Sequence, residues 1–301
     1  MEFYTSLCYN GKEKEAVQME RQSCCGQHAP LAGIQTAGLV CCSNGLPASA
    51  AAELERLQRV LADCGIETVC SPYLYAKDGV RSGSAVQRAE RLMAFYNDPE
   101  IDAIFDVSGG DIANEILPYL DFAAIAKAKN RRGEPKQLWG YSDLTVLLNA
   151  VYAETGNPGV LYQMRYFTPE RADTLFSFRY SFVQGNEMSG IVAGGNIRCL
   201  LKLAGTKFFP DLRGKLLLLE ARSGLQPQMI AFLSQMQQMG IFEQISGILL
   251  GTFTQLEREG QRIEPLVQQF AGQLPIAKTE DIGHAADASA IVIGTYMHLS
   301  D

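Results

Sequence analysis

Three segments of this sequence carry residues that can take part in covalent catalysis. The first, residues 108–114 (SGGDIAN), follows the apolar run 101–107 and leads into a predicted helix over 112–120. A turn of this kind exposes one side chain above a sheet, as in the nucleophile elbow of hydrolases. Its glycines allow a sharp turn and free N–H groups to bind an oxyanion, for which Gly110 and Asp111 are the candidates. A plain strand-to-helix turn with a helix cap is the alternative interpretation.

The other two segments supply a carboxylate and an imidazole. Glu220 ends the apolar run 215–220 (KLLLLE), which suits a carboxylate that orients a histidine, although a solvated strand-end charge gives the same pattern. His284 follows a glycine in DIGHAADASAIVIG. Of the three histidines it is the best placed to act as a general base, because His28 lies in an irregular N-terminal segment and His298 lies near the C-terminus. A structural role is the alternative for a single loop histidine.

The elements that must position these residues alternate between strands and helices. Apolar runs predict strands at 36–42, 66–70, 101–107 and 137–141, and helices are predicted at 48–64, 84–97, 112–120 and 143–154. Such alternation predicts a parallel sheet covered by helices, of the Rossmann or flavodoxin-like kind. Farther along, strands are predicted at 215–220, 246–252 and 290–294, and helices at 197–204 and 226–239.

These elements predict two α/β domains and a terminal extension. Residues 1–35 form an irregular N-terminal extension, 36–165 an α/β domain with the elbow loop, and 185–301 a mixed α/β, β-rich swivelling domain that carries Glu220 and His284. Ligands of parallel sheets bind at the carboxyl ends of the strands, where SNG (43–45), SGGD (108–111) and GYSD (140–143) fall. There Ser142 and Asp143 either contact substrate or cap the following helix, and the cap is favoured.

Composition excludes several classes of protein. Hydrophobic residues make up 47% of the 301 residues and the net charge is −7, so a globular chain without affinity for nucleic acid is expected. No apolar run approaches the about 18 residues of a membrane span, and the polar start is unlike a secretory signal, so we expect a cytoplasmic protein. The eight cysteines include no CxxC pair, which predicts free thiols or buried residues rather than disulfides, and neither metal nor cofactor.

Five segments, in the same order, resemble signatures of the serine peptidase family that includes LD-carboxypeptidases and microcin C immunity proteins. The resemblance runs from about residue 36 to residue 294. The segments are AIFDVSGGDIANEILPYLDF, GYSDLTVLL, GGNIRCLLKLAGTKFFPDLRGKLLLLE, GIFEQISGILLGTF and GHAADASAIVIG.

The resemblance implies a triad of serine, glutamate and histidine. The glutamate falls on Glu220 and the histidine on His284, but the serine position falls on Ala113, which has no nucleophilic atom. Three explanations stay open: a natural variant with lost or altered chemistry, a serine-to-alanine substitution made to trap a complex, or Ser108 as an alternative nucleophile. The residues expected to bind substrate or support an oxyanion are Gly109, Gly110, Asp111, Asn114, Ser142 and Asp143.

The resemblance also implies the kind of ligand. It points to the bond before the terminal D-alanine of murein tetrapeptides, or to the amide of an aminoacyl-nucleotide, and the elbow favours the second. It also implies a homodimer. The aromatic residues between 162 and 182 would serve either a purine or the core between the domains. With Ala113 in place, a non-catalytic peptide- or nucleotide-binding protein and a purely structural homodimer subunit are the alternatives to an enzyme.

Overall fold

The computed structural model describes residues 31–301, so the predicted irregular extension lies almost wholly outside the described residues. Two six-stranded sheets form the framework of this part of the chain. In chain order the strands are β1 (Thr36–Val40), β2 (Glu67–Cys70), β3 (Ala103–Asp106), β4 (Gln137–Gly140), β5 (Gly159–Leu161), β6 (Ser181–Gln184), β7 (Glu187–Asn196), β8 (Lys215–Ala221), β9 (Gly247–Phe253), β10 (Ile276–Lys278), β11 (Ile291–Ile293) and β12 (Tyr296–Ser300).

Helices cover these sheets and connect their strands. They are α1 (Ala51–Asp63), α2 (Ala85–Asn97), α3 (Phe122–Lys127), α4 (Thr145–Thr155), α5 (Ile197–Leu201), α6 (Gln226–Gln238), α7 (Thr254–Arg258) and α8 (Glu264–Ala271). Short 3-10 helices occur at Ala48–Ala50, Ala113–Tyr119, Ser142–Leu144, Met164–Tyr166 and Pro169–Thr174. None of the helices in residues 31–301 combines the length and the apolar character that crossing a bilayer requires.

The first sheet has the order β11-β5-β4-β3-β1-β2, and all its strands are parallel except β11. The predicted parallel α/β sheet is therefore confirmed. Val40 is level with Asp106, and Phe105 is level with Trp139. The loops after β1, β3 and β4 thus leave the sheet at the same edge, as expected for a ligand-binding edge.

The second sheet has the order β12-β7-β8-β9-β10-β6 and mixes both directions. Strands β7 to β10 are parallel, whereas β12 and β6 pair antiparallel at the two edges. This confirms the mixed α/β second half. The boundary at 185–301 stays a prediction, and sheet membership does not follow it, because β11 pairs with β5 in the first sheet.

Apolar patterning explains why these segments fold as they do. All five residues of β1 and six of the seven residues of β8 are buried, as expected for strands covered on both faces. Helix α1 instead buries one stripe, formed by Leu54, Leu57 and Leu61. Each such leucine contributes about 2 kcal/mol of burial free energy. The predicted helix at 112–120 is a 3-10 helix over Ala113–Tyr119, and it contains Pro118, whose ring would clash with the carbonyl of residue 114 in an α-helix.

Candidate active site

The elbow loop after β3 is held by the loop after β1. Asn44 donates its N–H to the carbonyl of Gly109 (3.1 Å), and its side-chain oxygen accepts the N–H of Asp111 (3.1 Å). Gly110 has a φ of +126°, and a Cβ there would lie 2.2 Å from the Asn44 side chain. This position therefore requires glycine. The N–H of Asp111, one of the predicted oxyanion donors, is already engaged by Asn44.

Ala113, the predicted nucleophile position, opens the 3-10 helix Ala113–Tyr119. The residue is fully buried, and its N–H donates to Oδ2 of Asp143 at 2.8 Å. Its neighbour Asn114 is exposed. The elbow is thus tied through its backbone to the adjacent β4–α4 turn.

Asp143 is the centre of a buried polar cluster. Its Oδ2 also accepts the hydroxyl of Ser43 at 2.7 Å, and its Oδ1 pairs with the ammonium of Lys202. A fully buried carboxylate needs such partners, because desolvation of an unpaired charge is costly. The cap prediction for Ser142 and Asp143 is therefore wrong: α4 has no side-chain cap, and the Asp143 carboxylate is bound elsewhere.

Two basic residues of α5 and the loop after it clamp the elbow. Arg198 forms an ion pair with Asp111, and Lys202 donates to the Asp111 carbonyl at 2.8 Å. Burial opposes ionisation of Asp111, but the two cations still hold its pKa below the ordinary value. Neither residue is among the candidate site residues that the sequence patterns predict. Their four-residue spacing on a predicted helix was the available signal, since it places them on one face.

Glu220 lies near the end of β8 and is fully buried. Its Oε1 accepts the side-chain N–H of Asn196 (3.0 Å), and its Oε2 accepts the hydroxyl of Tyr141 (3.2 Å). Burial and the Glu220 charge raise the pKa of Tyr141 well above its ordinary value, so the phenol stays a donor. Tyr141 lies within GYSD (140–143), which the sequence places at the ligand-binding edge, but no sequence pattern singles out its hydroxyl as a partner of Glu220.

His284 completes this second cluster. Its Nδ1 lies 2.8 Å from Oε2 of Glu220, and its ring packs edge-on against Tyr141 with 4.8 Å between centroids. The preceding Gly283 is required, because a Cβ there would lie 1.7 Å from the Thr252 hydroxyl oxygen. The histidine loop therefore approaches β9 more closely than any side chain would permit.

The ring nitrogens of His284 are buried and lack well-aligned hydrogen bonds to the described part of the chain. Both ring nitrogens are shielded from solvent, and among residues 31–301 neither has an aligned hydrogen-bond partner. Close approach of Nδ1 to Glu220 without a straight N–H···O line explains this for one nitrogen. Nε2 is an orphaned buried polar atom, which native proteins rarely leave without a purpose.

In the sequence, Ser142 lies between one residue of each polar cluster. It stands between Tyr141, which contacts Glu220 and His284, and Asp143, which binds the N–H of Ala113. Its φ is +57°, a left-handed conformation that costs a non-glycine residue about 1–2 kcal/mol. The structure therefore places strain at the junction of the predicted triad positions.

Ser108, the predicted alternative nucleophile, is fully buried at the end of the β3 segment. Its hydroxyl donates to Asp106 and accepts the N–H of Ser43 at 3.0 Å. Burial raises the pKa of Asp106 despite these hydrogen bonds. The hydroxyl is thus committed to the loop framework.

Most of the aromatic stretch forms core rather than a ligand surface. Trp139 of β4 packs edge-on against Tyr162 and Phe176, and Tyr162, Phe167, Phe178 and Tyr180 are buried. Tyr166 is 38% exposed. In the described part of the chain, no three histidine, cysteine, aspartate or glutamate side chains gather as a metal site requires.

A cavity of about 720 Å³ lies beside the elbow's helix rather than against His284. Glu115 and Tyr119 of the 3-10 helix line it. Lys77 and Arg81 also line it, and Arg81 pairs with Glu115. This cavity is therefore separate from the Glu220–His284 cluster.

Comparison with known proteins covers both halves of the chain. The family model of the LD-carboxypeptidase N-terminal domain matches residues 37–163, and that of the LD-carboxypeptidase C-terminal domain matches residues 189–299. A putative carboxypeptidase of Vibrio cholerae is 27% identical over 74% of this chain and 79% of its own. The microcin C7 self-immunity protein MccF of Escherichia coli is 26% identical over 88% and 90%, and a probable murein peptide carboxypeptidase of Bacillus subtilis is 28% identical over 78% and 80%.

Solved structures show the same fold. The structure of MccF in complex with glutamyl sulfamoyl guanosine superposes with a TM-score of 0.79 and 21% identity, over 91% of this chain and 98% of that one. A muramoyltetrapeptide carboxypeptidase from Oxalobacter formigenes gives a TM-score of 0.71 and 21% identity, over 88% and 95%. The two-sheet architecture is therefore shared with both kinds of protein.

Proposed function

This chain belongs to the LD-carboxypeptidase family, and on that premise we propose that it binds a small acylated substrate at the Glu220–His284 cluster. The substrate class is a murein-type peptide or an aminoacyl-nucleotide amide. Relatives named as murein peptide carboxypeptidases support the first, and a relative bound to glutamyl sulfamoyl guanosine supports the second. The observation that carries the proposal is the buried His284 Nε2, which lacks a partner while Nδ1 faces Glu220.

The cluster contains the side chains that a serine hydrolase uses for general acid–base catalysis. Glu220 holds the imidazole in place and stabilises its protonated form, and Tyr141 and Asn196 fix Glu220. Nε2 is then free to take a proton from an attacking hydroxyl and return it to a leaving amine. A serine at position 113 would supply that hydroxyl in the manner of the family.

Residue 113 itself cannot form an acyl-enzyme in this chain. The methyl side chain of Ala113 has no lone pair to attack a carbonyl carbon, so covalent chemistry through this position is absent. Binding does not require the nucleophile, because orientation and oxyanion contacts outlast its removal. These side chains therefore fit a protein that recognises a substrate but cannot be acylated at position 113.

A second candidate is a non-catalytic peptide- or nucleotide-binding protein on the same frame. The clamp of Arg198 and Lys202 favours it, because both cations hold the elbow against the second sheet. In that case the chain would sequester or sense its ligand. The homodimer and the cytoplasmic location stay predictions that rest on the family resemblance and on the sequence.

The test compares the chain with its Ala113→Ser variant on a murein tetrapeptide and on glutamyl sulfamoyl adenosine. Calorimetry measures binding, and mass spectrometry measures products. We expect both proteins to bind one of the two compounds, with faster cleavage by the variant. Tight binding without cleavage by either protein would favour the non-catalytic candidate, and absence of binding to both compounds would contradict the proposal.

A further inference from the structure

Ser142 has an unusual backbone for its residue type. Among residues 31–301 it is the one non-glycine residue with a positive φ. A strained conformation persists only where the surrounding structure enforces it, and such outliers cluster at functional sites.

The local fold around Ser142 is that of a nucleophile elbow. Strand β4 ends at Gly140, Ser142 begins a 3-10 turn, and α4 follows at Thr145. A Cβ at Gly140 would lie 2.7 Å from the Leu144 side chain, so the strand and the helix cross very closely. A strand, a strained serine and a helix in this order present a hydroxyl at the edge of the sheet.

The hydroxyl of Ser142 is uncommitted, unlike its neighbours. Ser142 is partly exposed, and its Oγ has no hydrogen-bond partner within the described residues. The hydroxyls of Ser43 and Ser108, on the two adjacent loops, donate to Asp143 and Asp106. Ser142 is therefore the available hydroxyl on these three strand ends.

Ser142 directly follows a residue that contacts His284, the candidate base. The preceding residue, Tyr141, contacts both Glu220 and the ring of His284. An unpartnered hydroxyl thus lies one residue from a side chain that packs on an imidazole whose Nε2 is unpartnered. A hydrogen bond between a nucleophilic hydroxyl and its general base is often absent without substrate and forms in the substrate complex.

We propose that Ser142 is the nucleophile of this chain, with His284 as its general base. The proposal rests on the proposed function, since it needs an amide substrate at this site. Ser142 Oγ attacks the carbonyl carbon as His284 Nε2 takes its proton. The C–N bond breaks, His284 gives the proton to the leaving amine, and water then hydrolyses the acyl-serine ester. The first-turn N–H of Asp143, which has no intrahelical acceptor, is placed to bind the oxyanion.

A fluorophosphonate probe tests the hydroxyl without a substrate. Ser142 Oγ would attack phosphorus and displace fluoride, with the proton passing to His284. Peptide mapping by mass spectrometry should place the adduct on Ser142. Ser142→Gly, which accepts a positive φ, should lower the labelling rate by more than about 100-fold. Ser234→Ala, at a partly buried serine of α6, is the matched control and should label as the parent does.

Substrate assays separate this proposal from the proposed function. Cleavage that survives in Ser142→Gly would overturn the role of Ser142 and leave the function intact. If the folded protein binds substrate but the probe does not label residue 142, the role of Ser142 is likewise overturned and the proposed function stands. Labelling at Ser142 with neither binding nor cleavage of the two compounds would support the nucleophile and contradict the substrate class. Circular dichroism of each variant confirms that it is folded.

Discussion

Oε2 of Glu220 lies 2.8 Å from Nδ1 of His284, although the two residues belong to separate strand ends. Glu220 comes from β8 in the second sheet, and His284 lies in the loop before β11, which pairs with the first sheet. The contact therefore joins the two sheets at the site. Any change in how the sheets pack would alter the orientation of the imidazole.

Replacing Glu220 by glutamine should disable the base while keeping its volume. In the Ala113→Ser background, we expect Glu220→Gln to lower kcat by about 100- to 10,000-fold, because a neutral amide no longer stabilises protonated His284. Ligand affinity measured by calorimetry should change by less than about threefold. Glu187→Gln is the control, since Glu187 faces His298 at 3.9 Å on the surface. Equal loss of kcat in both variants would argue against a specific Glu220–His284 pair.

Loss of the Lys202 charge should destabilise the elbow. Lys202→Met leaves the fully buried Asp143 without its cation, and removal of one partner of a buried pair costs about 3 kcal/mol. Urea unfolding should show this as a lower midpoint at an unchanged slope. Lys129→Met, at an exposed lysine, should have an effect near zero. A midpoint unchanged in Lys202→Met would mean that Asp143 is stabilised by its hydroxyl and amide donors alone.

The parts that the sequence predicted depend on local patterns. Buried strands read as apolar runs, so β1, β3, β4 and β8 were placed within a few residues. The glycines of the elbow marked a turn that a close approach to Asn44 enforces. Glu220 and His284 were selected by chemistry and neighbouring glycine, and the structure brings them together. Their catalytic role stays a prediction.

The parts that were missed depend on contacts between distant segments. Lys202 reaches Asp143 only because α5 packs near the edge of the first sheet. The spacing of Arg198 and Lys202 places both on one helix face but does not identify the partner of either. The hydroxyl of Tyr141 meets Glu220 for the same reason. The left-handed backbone of Ser142 lies where β4 and α4 cross closely, which no sequence pattern reports. A sequence pattern alone gave helix capping as the simpler interpretation.

Acid should weaken the fold through Asp102. Its side chain accepts the N–H groups of Gln35 and Thr36 and pairs with Arg131. Burial alone would raise its pKa, but these donors and the guanidinium hold the pKa below its ordinary value.

Because the folded-state pKa is the lower one, this stabilisation is complete above the unfolded pKa of about 3.9 and is lost as pH falls through the folded pKa. Asp102→Asn should therefore be less stable than the parent at pH 7, and the gap should narrow below about pH 4. Urea midpoints across this range measure it. A gap that is constant with pH would show that Asp102 contributes through packing and not through its charge.

Ser142→Gly should stabilise the protein while removing the proposed nucleophile. Glycine adopts a φ of +57° without the steric cost that serine bears, a gain that its greater freedom in the unfolded chain only partly offsets. We expect the free energy of unfolding to rise by about 0.5–1 kcal/mol. Ser142→Ala keeps the strain and should leave stability nearly unchanged, which separates the backbone effect from loss of the hydroxyl. Both variants should lose fluorophosphonate labelling alike. A Ser142→Gly protein less stable than the parent would show that the hydroxyl contributes to folding, and the strain would then be structural in origin.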